Sequence, residues 1–151
     1  MNSLPAGPGA APNLAELSRA ECLRLLATGS VGRVVFTESA LPAAHPVNYL
    51  LDGEEVVFRT GGGGKLAAAT MRNVVAFQVD DIRAESASGW SVLGVGEAYE
   101  VVDAVRLRSL GSRLPRPWVG SAANGHTIAI PLRRLTGRRL GIGEPPRRPP
   151  P

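Results

Sequence analysis

The stretch FRTGGGGKL, residues 58–66, places four consecutive glycines ahead of Lys65, the only lysine of the chain against sixteen arginines. Backbone amides in a glycine run can turn together toward an anion, and a helix starting behind them adds partial positive charge. Arg59 brings a planar fork that matches two oxygens, Thr60 a hydroxyl and Lys65 a compact charge. Such a set suits a single phosphate group. The nucleotide P-loop needs glycine at 59 and a hydroxyl at 66, where Arg59 and Leu66 stand. The dinucleotide fingerprint needs a parallel strand–turn–helix unit and an acidic residue about 20 positions on, in a sheet this pattern does not build. On the residues alone two readings stay open: a monophosphate clamp of Arg59 and Thr60, then the glycines, then Lys65, or a flexible hairpin connection beside a solvated lysine.

Other chemistry is sparse. His45 falls inside a strand-like run, where it could act as a general acid or point away from any cleft, and His126 opens a strand as a surface histidine. Cys22 sits among leucines and reads as core packing. Asp80 and Asp81 would point to opposite sides of a strand that they end, so they cannot pair. One cysteine excludes an internal disulfide, and two distant histidines leave no zinc spacing. There is no nucleophile elbow, no HExxH and no paired-carboxylate constellation.

The elements that must carry the clamp follow from pattern. SRAE at 18–21 is a capping box, predicting a helix with an apolar stripe of Leu23, Leu26 and Ala27 and a left-handed stop at Gly29. Strand-like runs follow at 30–37, 42–51 and 54–60, the last two joined by Asp52-Gly53, a tight-hairpin signal. GKLAAATM predicts a short helix, 73–81 and 89–102 two further strands, and Asp103 caps a helix with Val105, Leu107 and Leu110 inward. Residues 126–140 close the domain as a strand in which Pro131 requires an edge or a bulge. Six strands with marginal helices predict a mainly β fold, a six-stranded antiparallel barrel over 14–140, between disordered Pro-rich tails at 1–13 and 141–151. A narrow barrel fills its own interior, so a nucleotide-sized ligand must sit outside it or between two copies.

Composition fits one soluble domain: 44% apolar and 20% charged residues in 151. The net charge of +4 is mostly in the C-terminal arginines, which leaves the body too weakly basic for nucleic acid. No signal peptide and no membrane-length apolar run is present, which predicts a cytoplasmic protein.

The run GRVVFTESALPAAHPVNYLLDGEEVVFRTGGGGKLAAA, continued by GWSVLGVGEAYEV and TGRRL, resembles the pyridoxamine 5′-phosphate oxidase-like split-barrel family over about residues 18–140. The resemblance implies a homodimer with FMN in two clefts between the chains. Arg59, Thr60, Gly64 and Lys65 would hold its phosphate, and Pro46, Val47 and Asn48 would run beside the ribityl chain and ring. Ser91, next to Trp90, matches a ring-contacting glutamine of the biosynthetic oxidase and would serve the partner's cofactor. Trp118 and Arg138 are candidates for closing the cleft. His45, Tyr49 and Leu50 stand where the vitamin-B6 oxidase carries an arginine and a lysine, which argues against pyridoxamine phosphate as substrate. Gly63 replaces a serine of the phosphate turn. The implied activity is an FMN-binding, flavin reductase-like oxidoreductase acting on an unidentified small molecule. An F420-dependent reductase and a non-catalytic flavin or haem binder are the alternatives.

Overall fold

The computed structural model describes residues 12–62, 64–117 and 125–142. Helix α1 (Arg19–Thr28) starts at its expected cap: the Ser18 hydroxyl accepts from the Glu21 N–H at 3.2 Å and donates to the Glu21 carboxylate at 3.0 Å. Its buried side is Cys22, Leu25 and Leu26, while Leu23 is only partly covered and Ala27 is exposed. The expected stripe is therefore rotated, and Cys22 is core. Gly29 ends the helix in extended backbone (φ −85°) rather than left-handed, because the chain runs straight on into a strand. A side chain there would collide with the Tyr49 hydroxyl.

All six expected strands form, and three of them bend and change sheets. β2 (Val31–Glu38) is followed by β3 (Leu41–Asn48), which turns at Tyr49 into β4 (Leu50–Asp52). β5 (Glu55–Arg59) leads to helix α2 (Lys65–Thr70) and then to β6 (Val74–Arg83). β7 (Ser88–Glu97) turns at Ala98 into β8 (Tyr99–Glu100), and helix α3 (Ala104–Leu110) follows with a 3-10 turn (Gly111–Arg113). β9 (Thr127–Pro131) passes through Leu132–Arg133 into β10 (Arg134–Ile142). Pro131 ends its strand, and Asp80 and Asp81 lie within β6 rather than at its end.

A further strand, β1 (Pro12–Glu16), pairs with β10 and covers that edge. It takes residues 12 and 13 out of the expected tail 1–13, just as β10 takes 141 and 142 out of 141–151. The remainder of both tails, Gly63 and Trp118 lie outside the described residues. The order is β1-β10-β7-β6-β2-β3 in one sheet and β4-β5-β9-β8 in the other, antiparallel throughout. At Gly96 a Cβ would strike the Pro131 carbonyl, so the sheets meet there backbone to backbone.

Between the sheets lie Val34, Val56, Phe58, Phe77, Val92 and Ile128, closed at one end by α1. The outer face of β5 and β9 is covered by α3, through Val57, Ala129, Leu110 and Leu114. Two-sided burial explains why EVVFR shows no polar alternation. Val105, expected inward on α3, is 65% exposed, because this short helix docks by its C-terminal end at Leu110. Among the described residues no helix is long and apolar enough to cross a membrane, and no cluster of His, Cys, Asp and Glu could hold a metal.

Candidate functional site

A cavity of about 590 Å³ opens where the end of β3, the end of β5 and the start of α2 converge. β3 supplies His45, Pro46, Val47 and Asn48; β5 and the turn after it supply Arg59, Thr60 and glycines; α2 supplies Lys65 and Leu66, and Pro117 closes it from beyond α3. Seven of the nine expected cofactor residues thus meet in one place, although they span twenty positions from Pro46 to Lys65. No carboxylate lines this cavity among the described residues, so Arg59 and Lys65 leave it electropositive.

The turn is built for tight curvature. Gly64 precedes α2 with φ +67°, the left-handed region that glycine enters without strain, and Lys65 follows as the first, exposed helical residue. Arg59 is less free than its sequence position implies. Its Nη2 donates to the Gly111 carbonyl at 3.0 Å and Nη1 to the Leu114 carbonyl at 3.5 Å, so the fork also ties β5 to the end of α3. The Thr60 hydroxyl accepts from the His126 N–H at 3.2 Å and is buried, so the residue anchors β5 to the start of β9 rather than offering an open hydroxyl. His45 lines the cavity and stacks edge-on against Phe36 at 5.2 Å between ring centres.

Trp90 and Ser91 are not in this cavity. Both belong to β7, separated from β3 by β6 and β2, or roughly 14 Å at ordinary strand spacing. Trp90 packs partly into the main core. Ser91 looks out from the large sheet, 3.4 Å from Gln78 Nε2 and opposite Arg138 on β10. Neither Ser91 nor Arg138 reaches the cavity of its own chain.

Leu66 and Pro117 line the cavity without a chemical signal in the sequence, and His126, expected at the surface, is partly covered. His126 is half-buried, with Nδ1 2.6 Å from Glu100, and stands beside Gly64. Its only signal is the register Arg59↔Thr127, which no local pattern encodes.

Residues 18–139 match the family described as pyridoxamine 5′-phosphate oxidase. The chain belongs to that family. Among its relatives, a Mycobacterium tuberculosis protein is 39% identical over 140 residues, 89% of this chain and 91% of its own. The FAD binding protein from Mycobacterium smegmatis is 34% identical, with a TM-score of 0.72 over 83% of this chain and 98% of that one. A conserved protein from Corynebacterium diphtheriae is 30% identical, with a TM-score of 0.69 over 84% and 98%. Since nearly the full length of each relative is matched, the oxidase-family fold accounts for the whole described domain.

Proposed function

We propose that this chain is a flavin-nucleotide-dependent oxidoreductase acting as a homodimer on an unidentified small molecule. The observation that carries the reading is the polarity of this cavity, whose lining divides into cationic groups, Arg59 and Lys65, and apolar surface from Pro46, Val47, Leu66 and Pro117. An amphipathic ligand with an anionic tail fits that division. A bound flavin supplies the electron-transfer chemistry. The protein's part is to fix the phosphate with Arg59, Lys65 and the glycine amides, to bracket the ring with β3, and to keep water from it. FMN is the minimal ligand; the M. smegmatis relative supports FAD as its competitor in the same cavity. The split of the expected residues supports the dimer. Ser91 and Arg138 share the outer sheet face with Pro46 and Asn48, so a second copy packed on that face brings its own Ser91 toward this cavity.

The test is the absorption spectrum of the purified protein, with mass identification of whatever is released and titration with FMN, FAD, F420 and haem. Bound flavin reduced by NADH, NADPH or reduced F420 is expected; flavin that resists all three marks a binder without catalysis. A colourless protein with no affinity for any flavin rejects the reading. Lys65→Ala should weaken FMN by roughly 1.5–3 kcal/mol, the scale of a hydrogen bond to a charged group, and leave riboflavin nearly unchanged. Equal FMN affinity in that variant removes Lys65 from the phosphate site.

A further inference from the structure

His126 is held in place from two sides. Its carbonyl accepts from the Thr60 N–H at 2.8 Å and its N–H donates to the Thr60 hydroxyl, while the next residue's carbonyl accepts from the Val101 N–H at 2.8 Å. The backbone is thus fixed between β5 and β8, and the partly exposed imidazole reaches Glu100. Nδ1 lies 2.6 Å from the Glu100 carboxylate, which requires a proton on that nitrogen. Nε2 then decides the ring's charge. It faces the glycine turn, 4.0 Å from where a Cβ on Gly64 would stand, and has no hydrogen-bond partner among the described residues. In the neutral ring Nε2 can only accept; with a second proton it becomes a donor aimed at the turn that lines the cavity.

We infer that His126 is a positioning residue for the phosphate of the flavin nucleotide, taking a solvent proton on Nε2 as the phosphate docks while Glu100 holds the ring. This rests on the flavin-nucleotide reading above. The charged groups on the surrounding elements are Glu100 on β8, which holds the ring, Lys65, which follows Gly64 at the start of α2, and Arg59 on β5, whose pairing with Thr127 directs it to the other face of the small sheet, onto the Gly111 and Leu114 carbonyls. Arg72, beyond α2, borders a neighbouring hollow with Glu100. A phosphate that accepts from Nε2 favours the second proton, so protonation and phosphate binding are coupled.

The experiment titrates FMN and riboflavin in parallel at about pH 5.5 and about pH 8.5, on either side of the ordinary histidine pKa of ~6.5. His126→Asn should bind FMN about tenfold more weakly than the wild type at the lower pH and less than about twofold more weakly at the higher, with riboflavin unaffected at both. Comparison with the variant cancels the phosphate's own titration near pH 6. Glu100→Gln should show the same reduced dependence on pH. The wild type alone gives a second measure: the His126 NMR titration should move to higher pH with FMN and not with riboflavin. An equal loss at both pH values, an equal loss for riboflavin, or an unmoved titration overturns the proposal even where Lys65→Ala confirms the phosphate site. A wild type that binds no flavin overturns this inference together with the reading beneath it.

Discussion

Tyr49 occupies the bend between β3 and β4, near where the resembling oxidase carries a basic substrate residue, yet it serves the core. Its hydroxyl donates to the Leu26 carbonyl at 2.5 Å and its ring meets Phe77 edge-on at 4.9 Å. Burial pushes its pKa up to about 12 from 10. Between these values the unfolded chain has released a proton that the folded chain keeps. Stability is therefore undiminished below pH 10 and falls as pH rises toward 12, by about 2–3 kcal/mol from this group. The Tyr99 hydroxyl is raised as well, by burial and then by its hydrogen bond to Glu55, and adds a loss of the same sign. Tyr49→Phe should cost about 1 kcal/mol at neutral pH, because Leu26 keeps the Gly29 N–H at 3.2 Å, and should flatten much of the alkaline decline in urea midpoint. A decline as steep as in the wild type would show that Tyr49 titrates normally in the folded state. At this scale the sequence revealed residue types but not prior commitments. Arg59 and Lys65 were legible as cations near glycines, whereas the carbonyls of Gly111 and Leu114 that engage Arg59 lie more than fifty positions away and leave no local trace.

Helix α3 is too short to hold itself in water, and besides the apolar docking of Leu110 its position depends on one arginine. Arg106 reaches the Glu55 carboxylate at 3.1 Å and Asp52 at 3.3 Å, donates to the Tyr99 hydroxyl, and lies 5.9 Å from that ring's centre. Tyr99 in turn donates to Glu55, so one polar knot joins α3 to β4, β5 and β8. Because the end of α3 also holds Arg59 through Gly111 and Leu114, the knot bears indirectly on the cavity. Arg106→Met should lower stability by about 1–2 kcal/mol, less than for a fully buried pair because these side chains are 24–34% exposed. It should also weaken FMN. A double-mutant cycle with Glu55→Gln that shows no coupling would remove the ion pair as the cause. The ends of elements were readable wherever a local device sets them, as at Ser18, Gly53 and Asp103. The bends at Tyr49, Ala98 and Leu132 were not, since the apolar pattern runs through each without interruption and only the opposing sheet decides where the strand turns.

Among the described residues nothing covers the outer face of the large sheet. Val31, Val74, Ile82 and Leu93 are 40–71% exposed; Val31, Val74 and Leu93 each adjoin a buried strand neighbour and Ile82 shares the parity of Val74 on β6, so alternation directs all four to that face. The register sets Pro46, Arg33, Gln78 and Leu93 in one transverse row, which links the cavity's edge to the centre of the sheet. A monomer would keep this band in water, whereas a copy packed against it would cover the band and supply Ser91 across the seam. Leu93→Asp places a charge at the middle of the row without touching the cavity, whose lining does not include it. The variant should sediment as a folded monomer, with an unchanged far-ultraviolet spectrum, and should bind flavin at least about tenfold more weakly, about 1.4 kcal/mol. A monomer that keeps full flavin affinity would show that each cavity is complete within one chain and that Ser91 has no part in it. A Leu93→Asp dimer would move the interface off this face altogether. The expected outcome, loss of assembly and flavin together from a residue remote from the cavity, is one that no account confined to a single chain produces.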